Sequence, residues 1–311
     1  MRKYAVGIDI GGSHISAVLI NTQSREVLKE SFAEQDINNK ADATDIFSRW
    51  ADTIKEAASR VDISELKGIG FAMPGPFDYE KGIALFEKVN KYESLYGKDV
   101  GLELRNILQY PEDVSFRFIN DATAFAIGEA WIGKSKDVRR SVALTLGTGF
   151  GSAYIEDGIP AMTGDGVPEM GCLWHLPYKD GIADDYFSTR WFVNNYKSLS
   201  GKVVKGVKEI ANAAEEGEEA ALSLFREYGS GLGHFLAPSV RQFHPGMLVI
   251  GGNITGAWHL FGQHLEKAFA NNNIRISIEL SSLKESAAMI GSGRLINDSY
   301  FEKIKPLIPL M

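Results

Sequence analysis

The sequence predicts an α/β protein of two lobes, and three observations carry that prediction. The chain has 311 residues, more than a single hydrophobic core usually serves. Short runs of β-favouring residues alternate with longer stretches of helical period. The order strand, glycine turn, strand, turn that opens the chain at Tyr4 returns at Ser141, which reads as an internal duplication with one copy per lobe. The lobes are expected at residues 1–119 plus 290–311 and at 120–289.

The elements follow in chain order. Residues 4–10 form an apolar run broken by Gly11 and Gly12, and 14–20 form a second β-like run. Residues 21–24 supply turn formers, and 26–32 read as a third strand. Ile46, Phe47, Trp50, Ile54, Ala57 and Ala58 recur at helical spacing, so 42–61 is an amphipathic helix. Residues 68–73 read as a buried strand, ended by Pro74, Gly75 and Pro76. Residues 77–101 are expected to be a long polar and aromatic loop, and 102–108 a short helix. A strand at 115–119 runs into Asn120 and Asp121, and a helix follows through Trp131. The second copy has strands at 141–146 and 152–155 around the glycine turn 147–151. Residues 163–186 read as irregular and 186–243 as mainly helical. A strand at 247–250 then meets Gly251 and Gly252, a helix extends to 271, a strand lies near 274–280, and a final helix opens at 285.

Composition narrows the partners. Hydrophobic residues at 44% and charged residues at 23% are the balance of a soluble globular protein. A net charge of -7 with scattered Lys and Arg argues against nucleic acid. No signal peptide or bilayer-spanning run is read, so no membrane partner and a cytoplasmic location are expected. The one cysteine, Cys172, excludes an internal disulfide and a multi-cysteine metal site.

Chemistry concentrates at four junctions. Asp9 with Gly11 and Gly12 can bring backbone N–H groups to an anion and hold a water on Mg2+, or it can be an ordinary hairpin turn. Gly147, Thr148 and Gly149 follow the same logic, with Thr148 adding a hydroxyl donor. Gly251 and Gly252 end a strand and can admit a nucleotide base or ribose, although taken alone they are better explained by tight strand–helix packing. Asp121 can accept a proton from a sugar hydroxyl, while one of Asn120 and Asp121 can be a helix cap. The combination in order carries more weight than any member. The stretch Gly128 to Ser135 matches the P-loop pattern, but a helix precedes it and a charged turn follows, so it is rejected as a phosphate loop. Glu169, Cys172, His175, Asp184 and Asp185 can be zinc or sugar ligands; one Cys and one nearby His are too few for zinc, so the carboxylates are read as acceptors for sugar hydroxyls, with a solvated loop the equal alternative for Asp185.

Together these motifs, with the run from Met73 to Asp78, Gly128 with Glu129, and Glu169 to Gly171, resemble the ROK family of sugar kinases from residue 5 to about 293. The resemblance implies the actin-like ATPase (ribonuclease H-like) fold, with sugar and ATP in a cleft between lobes. It implies Asp121 as catalytic base. Sugar contacts are expected from Asn120, Glu169, His175, Asp184 and Gly75. Nucleotide contacts are expected from Asp9, Gly11, Gly12, Gly147, Thr148, Gly149, Gly251 and Gly252, with Mg2+ on Asp9 through water. Family habit implies a homodimer. The family's zinc-binding histidine and cysteine run are missing. Asp184 stands where the family has a sugar-binding glutamate, so structural zinc is not expected and the usual hexose preference is in question. Whether Cys172 or His175 takes the missing histidine's place stays open. The expected function is an ATP-dependent hexose kinase, with a non-catalytic sugar sensor as the alternative.

Overall fold

In the computed structural model, which describes residues 2–311, the chain divides into two compact units, Met1–Lys136 with Glu285–Met311 and Asp137–Lys284. The first begins with β1 (Tyr4–Ile10), β2 (His14–Asn21) and β3 (Glu26–Asp36), which pair antiparallel in sequence. Helix α1 (Ala43–Ala58) starts where Asp42 accepts the Asp45 N–H at 2.9 Å. It buries Ile46, Phe47, Trp50 and Ile54 in one core with Val6 and Ile8 of β1. The parallel strand β4 (Leu66–Met73) joins on the far side of β1.

The segment expected to be a polar loop is instead packed. It contains a small pair, β5 (Phe77–Asp78) with β6 (Ile83–Ala84), and its Phe77, Tyr79, Phe86, Tyr92 and Leu95 lie in the core. The aromatic residues that read as loop content are the anchor, with Tyr92 edge-on to Trp50 at 5.6 Å. Helix α2 (Val100–Leu108) leads to β7 (Ser115–Asn120), parallel to β4, and helix α3 (Asp121–Trp131) follows without a loop.

The second unit repeats this pattern. β8 (Arg140–Leu146), β9 (Phe150–Glu156) and β10 (Ile159–Pro160) pair antiparallel. The segment that read as irregular includes a hairpin of β11 (Pro177–Tyr178) with β12 (Gly181–Ile182), then α4 (Ala183–Tyr186). Three helices follow: α5 (Thr189–Ser200), α6 (Val207–Glu215) and α7 (Glu219–Phe243). The parallel strand β13 (Met247–Gly251) pairs with β8, helix α8 (Trp258–Asn271) follows, and β14 (Ser277–Leu280) is the edge. The strand orders are β3-β2-β1-β4-β7 and β10-β9-β8-β13-β14, the same topology twice. The duplicated order of strands and turns is thus a duplicated order of sheet.

The chain then returns to the first unit with α9 (Ser286–Arg294) and α10 (Asp298–Ile304). Helix α10 has no counterpart in the sequence reading. Helix α9 lies against β1, β4 and α3 at backbone distance: a Cβ on Gly70 would fall 1.9 Å from the Ser292 carbonyl oxygen, and one on Gly291 1.8 Å from that of Ala124. The Ile8 N–H donates to Ser292 Oγ at 3.0 Å, fixing the helix to the middle of β1. This packing moves the lobe boundary. Expected at 119/120, it falls after Lys136, because α3 packs on α9 in the first unit.

Since neither neighbour of Gly291 is a flexible side-chain tip, Gly291→Ala should destabilise the protein by about 2–3 kcal/mol. Denaturant unfolding that shows a change under about 0.5 kcal/mol would contradict this account of α9.

Candidate active site

In the first unit, three parallel strands end together. Asp9 of β1 pairs with Ala72 of β4, and Met73 of β4 pairs with Asn120 of β7. Ligands in open α/β sheets collect at such carboxyl ends. The turn after β1 is held from outside: the Tyr92 hydroxyl donates to the Gly11 carbonyl at 2.6 Å, and the Asn39 amide donates to that of Gly12. With its carbonyls tied, the Gly12 and Ser13 N–H groups make no hydrogen bond among the described residues. A Cβ on Gly11 would lie 2.6 Å from the His14 ring, so a side chain there would have to push that ring aside.

Asp9 has only partial access to solvent. Burial, and then the charges of Asp121 and Glu285, push its carboxyl up to about 8. Tyr92, close by, is raised by burial and then by the Asp9 charge.

At the end of β7 the adjacent polar pair divides its tasks. Asn120 is the helix cap, its Oδ1 accepting the Thr123 N–H at 3.1 Å. Its Nδ2 donates to Asp121 Oδ1 at 3.0 Å and to the Tyr79 hydroxyl at 3.2 Å. Asp121 Oδ1 also accepts the Ala122 N–H at 2.8 Å, whereas Oδ2 makes no hydrogen bond among the described residues. Burial raises the Asp121 carboxyl above the usual range, opposed by the Ala122 N–H, the Lys91 charge and the Asn120 amide. Gly75 is exposed, next to the end of β4. The rejected P-loop stretch is a helix end: Glu129 is fully buried and accepts the Lys134 N–H at 2.8 Å.

In the second unit, the turn Gly147–Gly149 joins β8 to β9, and Gly251 pairs with Thr145, so both glycine junctions share one edge. Thr148 is exposed, and its hydroxyl makes no hydrogen bond among the described residues. Gly252 has φ 88, and a Cβ there would lie 2.4 Å from the Leu146 carbonyl oxygen, which accounts for glycine by packing alone. The turn is clamped at both ends. The Thr189 N–H and hydroxyl donate to the Gly147 carbonyl at 2.8 and 2.9 Å, and the Phe150 N–H donates to Asp184 Oδ1 at 2.7 Å. Asp184 Oδ2 accepts from Arg190 at 2.8 Å, so both its oxygens are engaged.

Glu169 is exposed on a single turn, Glu169–Gly171. His175 Nδ1 is 3.8 Å from Cys172 Sγ, and its buried Nε2 has no hydrogen-bond partner among the described residues. Burial pushes the Cys172 thiol up to about 11, so it stays protonated at neutral pH. Among the described residues no three His, Cys, Asp or Glu side chains converge as a metal site. Sequence reasoning did not find Tyr79, Tyr92, Thr189 or Glu285. Each acts through a neighbour distant in sequence, and no local spacing marks it.

A model of the ROK family matches residues 5–299. The chain belongs to the ROK family. Similar relatives include a glucokinase of Thermotoga maritima, 27% identical over 94% of this chain and 97% of the relative. An N-acetyl-D-glucosamine kinase of Haemophilus influenzae is 25% identical over 86% and 90%, and a xylose repressor of Caldicellulosiruptor bescii 25% over 92% and 76%. The crystal structure of a Streptomyces griseus ROK glucokinase in complex with glucose and AMPPNP matches with a TM-score of 0.72 at 20% identity, covering 94% of this chain and 98% of that one. The two mixed five-stranded sheets are those of the actin-like ATPase fold. ROK proteins include sugar kinases and repressors, so membership fixes the fold and leaves the activity to the site. No helix of this ROK protein, among the described residues, is long and apolar enough to cross a membrane.

The raised Asp9 carboxyl has a testable sign. A proton bound more tightly in the fold than in the unfolded chain stabilises fully below about pH 4, and that stability is lost as pH rises toward about 8. Asp9→Asn carries no charge, so the stability gap between variant and ligand-free wild type should shift in the variant's favour across that window. Urea midpoints for both proteins at pH 4, 6 and 8 measure it; a constant gap would show that Asp9 carries no such shift.

Proposed function

We propose that this chain is an ATP-dependent kinase that transfers the γ-phosphate to the 6-hydroxyl of a hexose of the glucose or N-acetylhexosamine type, with Asp121 as general base. The observation that carries this reading is the division of labour at the end of β7. Asn120 takes the capping role, which leaves Asp121 Oδ2 open while Oδ1 is held by two donors. A carboxylate so oriented, with its proton affinity raised by burial, is a stronger base than one in water. In the proposed step Oδ2 accepts the hydroxyl proton as the sugar oxygen forms its bond to phosphorus and the bond to ADP breaks. Asn120 and Gly75 orient the sugar, together with Glu169 and His175.

The nucleotide phosphates are assigned to the Gly11–Gly12 turn and to Gly147, Thr148 and Gly149, whose N–H and hydroxyl donors meet the developing charge. Gly251 and Gly252 are assigned to the adenosine. The acidic surplus around Asp9 fits a divalent cation, and without three converging ligands Asp9 would hold Mg2+ through water. Mg2+ would neutralise charge on the phosphates. Asp184 is assigned to the second turn, as its anchor. The names of the glucokinase and N-acetylglucosamine kinase relatives support the substrate class.

A second reading, a sugar sensor without catalysis, is favoured by one observation: Asp184, at the position of an expected sugar ligand, has both oxygens occupied. ADP release with a panel of hexoses and hexosamines separates the two, since a sensor binds sugar without turnover.

Asp121→Asn should lower turnover by about 10²–10⁴-fold with sugar binding retained. Retention of the wild-type rate would remove Asp121 as base. Asp184→Ala should raise the KM for ATP about tenfold, the worth of one charge-assisted hydrogen bond, and leave the sugar KM unchanged. A rise in the sugar KM alone would make Asp184 a sugar ligand instead.

A further inference from the structure

A cavity of about 330 Å³ opens in the first unit among residues with no role in the reaction above, save for one shared side chain. Its walls are aromatic: Phe116 and Phe118 of β7, and Tyr79. Its rim is basic. Arg105 of α2 lies over the Phe116 ring at 4.2 Å, and Lys305 follows α10. Neither forms an ion pair among the described residues. The other charges are mostly spent: Asp99 caps α2 through the Leu102 N–H at 2.9 Å, Lys81 pairs with Asp78 at 3.3 Å, and Arg117 pairs with Asp298 at 2.8 Å. Glu80 is the remaining unpaired acid, so two free cations face one free anion.

We propose that this cavity binds a small organic phosphomonoester, and that its occupancy is coupled to sugar binding at Asn120. Two unpaired cations suit a phosphate dianion, and rings beneath them suit an apolar body attached to it. The volume lies at the lower end of ordinary small-molecule sites. The coupling has a covalent and a hydrogen-bonded path. Phe116, Phe118 and Asn120 alternate along β7 and so lie on one face of the strand. Tyr79 lines the cavity with its ring, while its hydroxyl accepts from Asn120 Nδ2 at 3.2 Å and lies 3.2 Å from the Met73 carbonyl oxygen. A ligand pressed on that ring bears on the side chain that orients Asp121. This coupling rests on the sugar site proposed above; the binding itself does not.

Calorimetry on the whole chain with phenyl phosphate as probe tests the site, with inorganic phosphate as the charge-only control. Phenyl phosphate should bind about tenfold or more tightly than phosphate, and Arg105→Glu and Lys305→Glu should each weaken it by about tenfold. Asp121→Asn should leave it unchanged. Tyr79→Phe keeps the ring, so it should bind the probe as wild type does while losing the several-fold effect of the probe on sugar affinity. A single cooperative unfolding transition with the wild-type denaturant slope certifies that the charge variants fold. Equal affinity for phosphate and phenyl phosphate, or undiminished binding by folded Arg105→Glu, would overturn the site. An unchanged probe effect in Tyr79→Phe would overturn the coupling. If no sugar stimulates ADP release but probe binding depends on Arg105, the kinase reading falls and the cavity stands.

Discussion

Asp9, Asp121 and Glu285 bring negative charge to one edge of the first sheet, and burial limits the water that would screen Asp9. No cation pairs with Asp9 among the described residues, and burial with the charges of Asp121 and Glu285 pushes its carboxyl up to about 8. Tyr92 directs its hydroxyl to the Gly11 carbonyl, which holds the turn. Lys91, the adjacent residue, contributes its charge to Asp121. In the proposed reaction the base therefore has compensation of its own, whereas Asp9 waits for a cation that arrives with the phosphates. Binding of a divalent cation at Asp9 would be linked to loss of the Asp9 proton.

The two sheets share a strand order and differ in how their glycine turns are held. Around Gly11 and Gly12 the restraints come from a tyrosine and an asparagine on loops, and the surrounding charge is acidic. Around Gly147–Gly149 the restraint comes from α4 and the start of α5, through Asp184 and Thr189, with Arg190 paired to Asp184. One topology thus presents two turns in different electrostatic settings, carboxylates at the first and an arginine–carboxylate pair at the second.

What could be read in the sequence follows from how local its cause is. The strands around each glycine turn, α1 with its apolar face, and the junction at Asn120–Asp121 all show within a dozen residues, and they were legible. The packed segment 77–101 was not, because its aromatic residues bury against α1 and β7, contacts far away in sequence. The lobe boundary failed for the same reason. The glycines of α3 and α9 meet across more than 160 intervening positions, and only their backbone distance reveals that α3 belongs with the first sheet. At the site, residue types were legible and their bonds were not: nothing near Asp184 in the sequence says that Phe150 takes one of its oxygens.

That last bond bears on substrate choice. A carboxylate shared between a backbone N–H and an arginine is poorly placed to read a sugar hydroxyl, since any new donor must displace one of the two. Within the proposed function, selectivity in the second unit then falls to Glu169 and His175. His175 carries a buried Nε2 without a partner, a condition that costs about 1–3 kcal/mol while it lasts. A sugar substituent that hydrogen-bonds to this nitrogen would recover that cost, and one that cannot would leave it in place. Within the proposed function, this nitrogen would then discriminate more strongly than the carboxylate that the family pattern singles out.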